Sequence, residues 1–299
     1  SISVGEVPQP FPVTWFRAFL QNPYLWALEK CLGIEEVSDD AHELDGGAFG
    51  DLAHRVLERF AGTPELRSDQ AGVVSQCLSS LLDREARSRF GSGVVPAVRV
   101  QIEQLRARLA AFAEWHAGHL GEGWRVVAWE VRTHPDGVPF LVDGTPFLLS
   151  GRIDRIDFHP ARGEWLVLDY KTGDSTGGPR QEHGGQGHWK DLQLPLYRHL
   201  LAHLQEPLPG FDVSHPVSLG FIRLAKQSSD VGFSRADWSD EELEDADSTA
   251  RSAIRELRAL TAVAHDPGLR MPFLSGSLEL LLGQRTIQAS ADPDGGDLE

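Results

Sequence analysis

Lysine is scarce in this 299-residue chain. Four lysines, Lys30, Lys171, Lys190 and Lys226, stand beside 24 arginines. Cysteine is scarcer still: Cys31 and Cys77 are the only two, with no CxxC spacing. That pair supports neither a zinc site nor a disulfide framework and suits a reducing, cytoplasmic setting. No apolar run approaches the ~20 residues that cross a bilayer, and Ser1 to Gln9 lacks the basic-then-apolar pattern of a signal peptide. No GxxxxGK[ST] phosphate loop is present, which leaves any nucleotide-driven motor outside this sequence. The first residue is Ser rather than Met, as expected of a processed chain or a piece of a longer one.

Positive charge is also in deficit. The formal net charge is −16, an obstacle to nucleic-acid binding, which draws on Lys and Arg against phosphate. The excess is localised. Glu35–Asp45 holds six acids, Asp237–Asp247 seven and Asp292–Glu299 four, with no base in any of the three. Setting these 17 aside leaves 27 acids against 28 bases, so a local basic groove is permitted. Such runs read as solvated faces or tails.

What is present is a helix-rich first half and a strand-rich centre. Trp15–Leu32 has helical spacing broken near Pro23, and Leu44–Phe60 sets Phe49, Leu52, Val56, Leu57 and Phe60 on one face. Helical patterns continue over Asp69–Arg89 and Val98–His119. The period then changes: Trp124–Thr133, Phe140–Asp143, Pro146–Phe158 and Glu164–Tyr170 read as strands, with a turn at Pro135–Gly137. Gly173–Gly187 reads as a mobile loop. Trp189–Leu204 reads as a helix, Val217–Leu224 as a strand, and Ser239–Ala264 as a long helix opened by a Ser239/Glu242 capping box. The expectation is an α/β core in one domain over residues 1–285, with a helical layer inserted at about 62–121 and a disordered tail over 286–299.

Chemistry concentrates at Asp169-Tyr170-Lys171, where a strand ends before Gly173. Residues two apart on a strand share a face, so one carboxylate and one ammonium project together. A carboxylate can hold a hard cation, and the ammonium can orient water or steady phosphate charge. In a chain this poor in lysine, Lys171 suggests that a compact ammonium is wanted rather than a guanidinium fork. On the preceding strand, a hairpin of suitable register would bring Asp154 to Asp169. Two converging carboxylates repel unless a divalent ion lies between them. Asp157 could serve similarly but reads better as a turn or edge carboxylate. His54 lies one turn after Gly50, and its Glu58 neighbour reads as a surface pair. Glu130, in an apolar strand, needs a partner or an exposed end. Gln193 and Tyr197 share a helix face, placed to contact phosphate or to fix the lysine.

Taken in order, Gly50-Asp-Leu-Ala-His54, Glu130, Gly151-Arg-Ile-Asp154, Asp169-Tyr-Lys171 and Gln193-Leu-Pro-Leu-Tyr197 resemble the nuclease domain of the RecB/AddB group in the PD-(D/E)XK superfamily. The resemblance implies a restriction-endonuclease-like fold, a mixed central sheet flanked by helices. It implies Mg²⁺ or Mn²⁺ held by His54, Asp154, Asp169 and the Tyr170 carbonyl. Lys171 would be the catalytic lysine, Glu130 the supporting acid, and Gln193 and Tyr197 the substrate-contacting or lysine-orienting helix motif. DNA is the implied substrate and a helicase domain or subunit the implied partner; no membrane is expected. Many members carry an iron–sulfur cluster whose first cysteine precedes a proline. Here Asn22 stands before Pro23 and Ala264–Gly283 has no cysteine, so no cluster is expected. A DNA-guiding module without catalysis and a stand-alone exonuclease are the rival readings.

Overall fold

The computed structural model describes residues 7–32, 44, 46–91, 95–173 and 177–264. In chain order the elements are β1 (Phe11–Pro12), α1 (Trp15–Gln21), α2 (Pro23–Leu32), α3 (Gly46–Ala61), α4 (Ala71–Phe90), α5 (Pro96–Gly121), β2 (Arg125–Arg132), β3 (Val138–Val142), β4 (Thr145–Ser150), β5 (Arg152–His159), β6 (Glu164–Lys171), α6 (Pro179–His183), α7 (Gln193–Leu200), β7 (Val217–Arg223), β8 (Gly232–Arg235) and α8 (Asp240–Ala264). The expected tail lies outside the described residues.

A five-stranded mixed sheet in the order β2-β5-β6-β7-β8 forms the centre. The β6–β7 pair is parallel; the other three pairs are antiparallel. The central strand β6 is apolar on both faces, as a strand covered on both sides must be. Its even residues, Leu166, Leu168 and Tyr170, pack into the core formed with α3, α4 and α5. Trp165 and Val167 pack into a second core with α7, α8 and the small β1-β4-β3 sheet. The result is an α/β sandwich whose helical layers cover both faces of the sheet.

Chain breaks follow local chemistry. Pro23 occupies the first turn of α2, where its missing N–H costs nothing, and the Asn22 side chain accepts the Leu25 N–H at 3.0 Å. Ser239 and Glu242 cap α8 reciprocally: the Ser239 N–H reaches Glu242 Oε2 at 2.9 Å, and the Glu242 N–H reaches Ser239 Oγ at 3.3 Å.

Four sequence expectations need correction. Pro146–Phe158 is not one strand: it divides at Gly151 into β4 and β5, which belong to different sheets. A Cβ on Gly151 would lie 2.5 Å from Leu200 Cδ1 and 3.2 Å from Val13 Cγ2, so a side chain here would force Leu200 to shift. The glycine-rich segment is not a mobile loop throughout, because its described part contains α6. The helix expected from Trp189 begins only at Gln193 and ends in a 3₁₀ turn at Leu201–His203. The short strands β1 and β8 have no counterpart in the sequence reading.

Candidate active site

Register builds the site. In the β2–β5 ladder Trp129 pairs with Arg155 and Val131 with Ile153, so Glu130 lies opposite Asp154. In the β5–β6 ladder Arg155 pairs with Leu168, so the next step sets Asp154 opposite Asp169. Three carboxylates therefore occupy one level across three adjacent strands. Glu130 achieves this with φ of 50°, in the left-handed region. For a residue bearing a Cβ that conformation is strained and persists only where the surroundings enforce it. A register shift between Val126 and Ala128 lies one turn of the pleat upstream.

The row is dry. Asp154 and Asp169 are 6% and 4% exposed. Asp154 Oδ2 accepts the Tyr170 backbone N–H at 2.9 Å and lies 3.9 Å from His54 Nδ1. Burial, with Asp169 next, pushes the Asp154 carboxyl up to about 6. Burial, with Asp154 next, pushes Glu130 up to about 7. Glu130 Oε2 is 3.0 Å from Arg152 Nε, yet the approach is not directed as a hydrogen bond and the oxygen is otherwise orphaned. Arg152 was not singled out from the sequence, although it stands two residues before Asp154 within the Gly151–Asp154 motif.

Asp169 is held from the other side. Gln193 Nε2 donates to Asp169 Oδ1 at 2.8 Å and also to the Tyr197 hydroxyl. The Tyr197 hydroxyl donates to the Arg152 carbonyl at 2.9 Å. Tyr197 is fully buried, a placement that suits the lysine-fixing alternative better than substrate contact, and its hydroxyl ties α7 to the start of β5 and the end of β6. The α7 amino end is supported by Asp191, whose Oδ1 accepts the Gln193 N–H at 2.9 Å. Asp191 is a further residue missed in the sequence, where a lone acid before a helix carries no distinctive signal.

Lys171 Nζ lies 2.9 Å from Asp169 Oδ2 and 4.9 Å from the centroid of the Phe221 ring. Burial opposes its charge, but Asp169, with Asp191 and Glu182 behind, outweighs burial and raises its pKa above the ordinary lysine value. Lys171 is therefore an ammonium at neutral pH: a donor and a positive charge, not a base.

His54 reaches the row because α3 crosses close to the end of β6. A Cβ on Gly50 would already stand 3.0 Å from Thr172 Oγ1, so a glycine one turn before His54 allows that approach. His54, Glu130 and Asp154 each offer a ligand atom within 4.8 Å of the others. Two carboxylates and an imidazole, with the buried Glu130 Oε2 lacking a directed donor, form a donor set that fits a divalent cation. In this geometry Glu130 stands at ligand distance beside His54 and Asp154, while Asp169 is engaged by Lys171 and Gln193. Tyr170 contributes its N–H to Asp154. Asp157 does not belong to the site and is not an edge carboxylate. It is fully buried, held by Arg155 through two hydrogen bonds of 2.8 Å and by His119 at 2.8 Å.

Two clefts open on either side of His54. One, of about 740 Å³, is lined by residues including Arg55, Glu58, Arg59, Glu130 and Arg152. The other, of about 560 Å³, is lined by residues including Arg17, Lys171, Gln181 and Lys190.

Residues 11–268 match the family model of the PD-(D/E)XK nuclease superfamily. A search of curated proteins finds no match. Among solved structures, the chain is similar to a "putative exonuclease" from Eubacterium rectale at 11% identity and a TM-score of 0.49, over 91% of this chain and 93% of that one. No helix among the described residues is long and apolar enough to cross a membrane.

Proposed function

The chain belongs to the PD-(D/E)XK nuclease superfamily, and from that premise we propose that it is a divalent-metal-dependent deoxyribonuclease hydrolysing phosphodiester bonds. The observation that carries the reading is the row of Glu130, Asp154 and Asp169 across three neighbouring strands, with the Lys171 ammonium 2.9 Å from Asp169. A noncatalytic module has no need to hold three carboxylates in one row against their mutual repulsion.

His54, Glu130 and Asp154 would hold Mg²⁺ or Mn²⁺, with Asp169 beside them. The cation would polarise the phosphate and lower the pKa of water. The protein's own contribution is positioning and fixed charge. Lys171, kept protonated by Asp169, donates to the attacking water or to a phosphate oxygen as negative charge grows. Gln193, anchored by Tyr197, fixes the Asp169 carboxylate and so the lysine. Arg152 neutralises Glu130 on the open side of the row.

The finer reading is a nuclease module of a RecB/AddB-like helicase–nuclease in DNA repair or recombination, acting as an exonuclease on a single strand or a duplex end. Its support is the order of the five motifs from Gly50 to Tyr197. DNA rather than RNA rests on the same resemblance, as does the helicase partner; a cytoplasmic location rests on the two cysteines, whose number and spacing support no disulfide framework.

The test is cleavage of end-labelled single- and double-stranded DNA with Mg²⁺, with Mn²⁺ and with EDTA, for the wild type, Asp169→Ala and Lys171→Ala. Metal-dependent cutting that both substitutions abolish, with circular dichroism unchanged, is the expected result. Cutting that survives either substitution, or no cutting with any metal, rejects the proposal.

A further inference from the structure

We propose that the cleft beside Lys171 binds the phosphates of the nucleic-acid strand on one side of the bond to be cut, through Arg17 and Lys190. The inference rests on the nuclease reading above and adds a substrate subsite to it.

Placement is the first argument. This cleft and the arginine-rich one both include His54 in their walls. A strand lying across the carboxylate row therefore leaves the reacting phosphate in two directions, one along each cleft. Arg17 comes from α1 and Lys190 from the segment leading into α7, so two separate elements deliver cations to one side.

Charge is the second argument. The cleft presents Arg17, Lys190 and Lys171, the last of them paired to Asp169, against one lining acid, Glu182. The other cleft has Arg55, Arg59 and Arg152 against Asp51, Glu58, Glu85 and Glu130, and two of its arginines are spent on Glu85 and Glu130. A polyanion finds net attraction in the first and near cancellation in the second.

Pairing is the third. Arg17 and Lys190 are exposed and make no ion pair with any described residue; the Lys190 ammonium has only a 3.5 Å contact to the Gln181 carbonyl. Elsewhere in this acid-rich chain, arginines are commonly tied down, as Arg106 to Asp83, Arg180 to Glu242 and Arg255 to Asp143. Two of the four lysines in the whole sequence line this one cleft. Cations left free beside a hydrolytic lysine are what a phosphate backbone requires.

The experiment has two arms. In the first, fluorescence anisotropy follows binding of a labelled DNA single strand to Lys171→Ala and to the same protein carrying R17A/K190A, across a range of salt. Each phosphate contact on a single strand contributes about 0.7 to the slope of log affinity against log salt. The double substitution should lower that slope by about 1.4 and weaken binding roughly tenfold or more at ~0.1 M salt. R255A, on a paired arginine, should leave both unchanged. In the second arm, wild-type protein with Mg²⁺ cleaves strands carrying neutral methylphosphonate linkages on one side of the cut or the other. Neutral linkages on one side only should slow cutting, and R17A/K190A should lose that sensitivity. An unchanged salt slope, or equal sensitivity on both sides, overturns the subsite while wild-type cleavage still upholds the nuclease. Wild-type protein that neither cuts nor binds DNA overturns both. The methylphosphonate arm on wild-type protein decides the matter even if the double variant misfolds.

Discussion

The carboxylate row should make the metal-free protein less stable than it would be with one charge removed, and Asp154→Asn measures by how much. Asp154 is 6% exposed, and burial together with Asp169 raises its carboxyl to about 6 in the folded protein, against about 3.9 in an unfolded chain. A carboxyl whose folded pKa is raised holds its proton more tightly when folded, so stability is lost as pH rises from about 3.9 through 6. Above that window the cost approaches 1.36 kcal/mol per unit over about two units, or roughly 3 kcal/mol at most. Asparagine removes the charge but keeps an oxygen for the Tyr170 N–H, and it forfeits attraction to His54 and Arg152. A net gain of about 1–2 kcal/mol is expected, or roughly 2–4 °C in Tm per kcal/mol for a domain of this size. Divalent cation should reverse the ranking. At a hundred times its Kd it adds about 2.7 kcal/mol to the wild type and little to the variant, which has lost a ligand. Thermal melts of both proteins above pH 7, in EDTA and in excess MgCl₂, make the comparison. If Asp154→Asn melts below wild type in EDTA, or Mg²⁺ raises both equally, the row is not a strained site awaiting a cation.

Gln193→Ala should lower kcat by about ten- to a hundredfold with DNA affinity nearly unchanged, because it removes a positioning contact to Asp169 rather than a substrate contact; single-turnover cleavage and anisotropy separate the two. Gly151→Ala should cost about 1–3 kcal/mol by overpacking Leu200 and Val13, read from the urea midpoint, and should reduce cleavage by displacing the start of β5. His116 is buried and faces Arg155, and its pKa is lowered to about 3. The unfolded chain takes up a proton near 6.5 that the native site refuses, so wild-type stability should fall by about 1.4 kcal/mol per pH unit below 6.5 from this group. Equilibrium unfolding should show a shallower acid slope in His116→Gln; an identical slope would remove His116 as the cause.

Much of this fold could be read from periodicity. The helical rows of α3, α4 and α5 and the two-faced apolar run of β6 are strong local signals, and their bounds differ by only a few residues from expectation. Strands β1 and β8 are short, with two and four residues, and neither has enough length for alternation to show. The break at Gly151 depends on Leu200, 49 positions later, so nothing adjacent in the chain announces it. The same contrast holds at the site. Asp169 and Lys171 are two apart on one strand, so their shared face is a local property. That Glu130 stands level with Asp154 depends on register and on a left-handed backbone at Glu130 itself. The burial of Tyr197 depends on how α7 packs, which its i+4 spacing from Gln193 does not specify.

The acid run at Asp237–Asp247 bears on how so negative a chain can handle a polyanion. It is not a plain solvated face. Asp237 and Glu242 grip Arg180 of α6, with Nε–Oδ1 at 3.1 Å and NH1–Oε1 at 2.6 Å. Asp245 accepts the Gly187 N–H at 2.7 Å and the Trp189 indole N–H at 2.9 Å. Asp247 holds Arg198 at 2.7 Å and His199 at 2.8 Å, both on α7. These acids spend their charge on the segment that delivers Lys190, Asp191 and Gln193. The described part of a glycine-rich stretch that composition alone would leave mobile, 177–187, is thereby held against the amino end of α8. Acids placed this way both order the lysine-bearing side of the site and are masked by the groups they hold, whereas Arg17 and Lys190 stay unmasked. Net charge is a sum over the whole surface, but a strand of DNA at the carboxylate row responds to charges within about a Debye length, ~8–10 Å. The count of −16 therefore does not decide against DNA. Neutralising Asp237 and Glu242 should weaken cleavage by loosening α6, even though it makes the protein less negative; stronger cleavage on losing those charges would show that bulk repulsion governs instead.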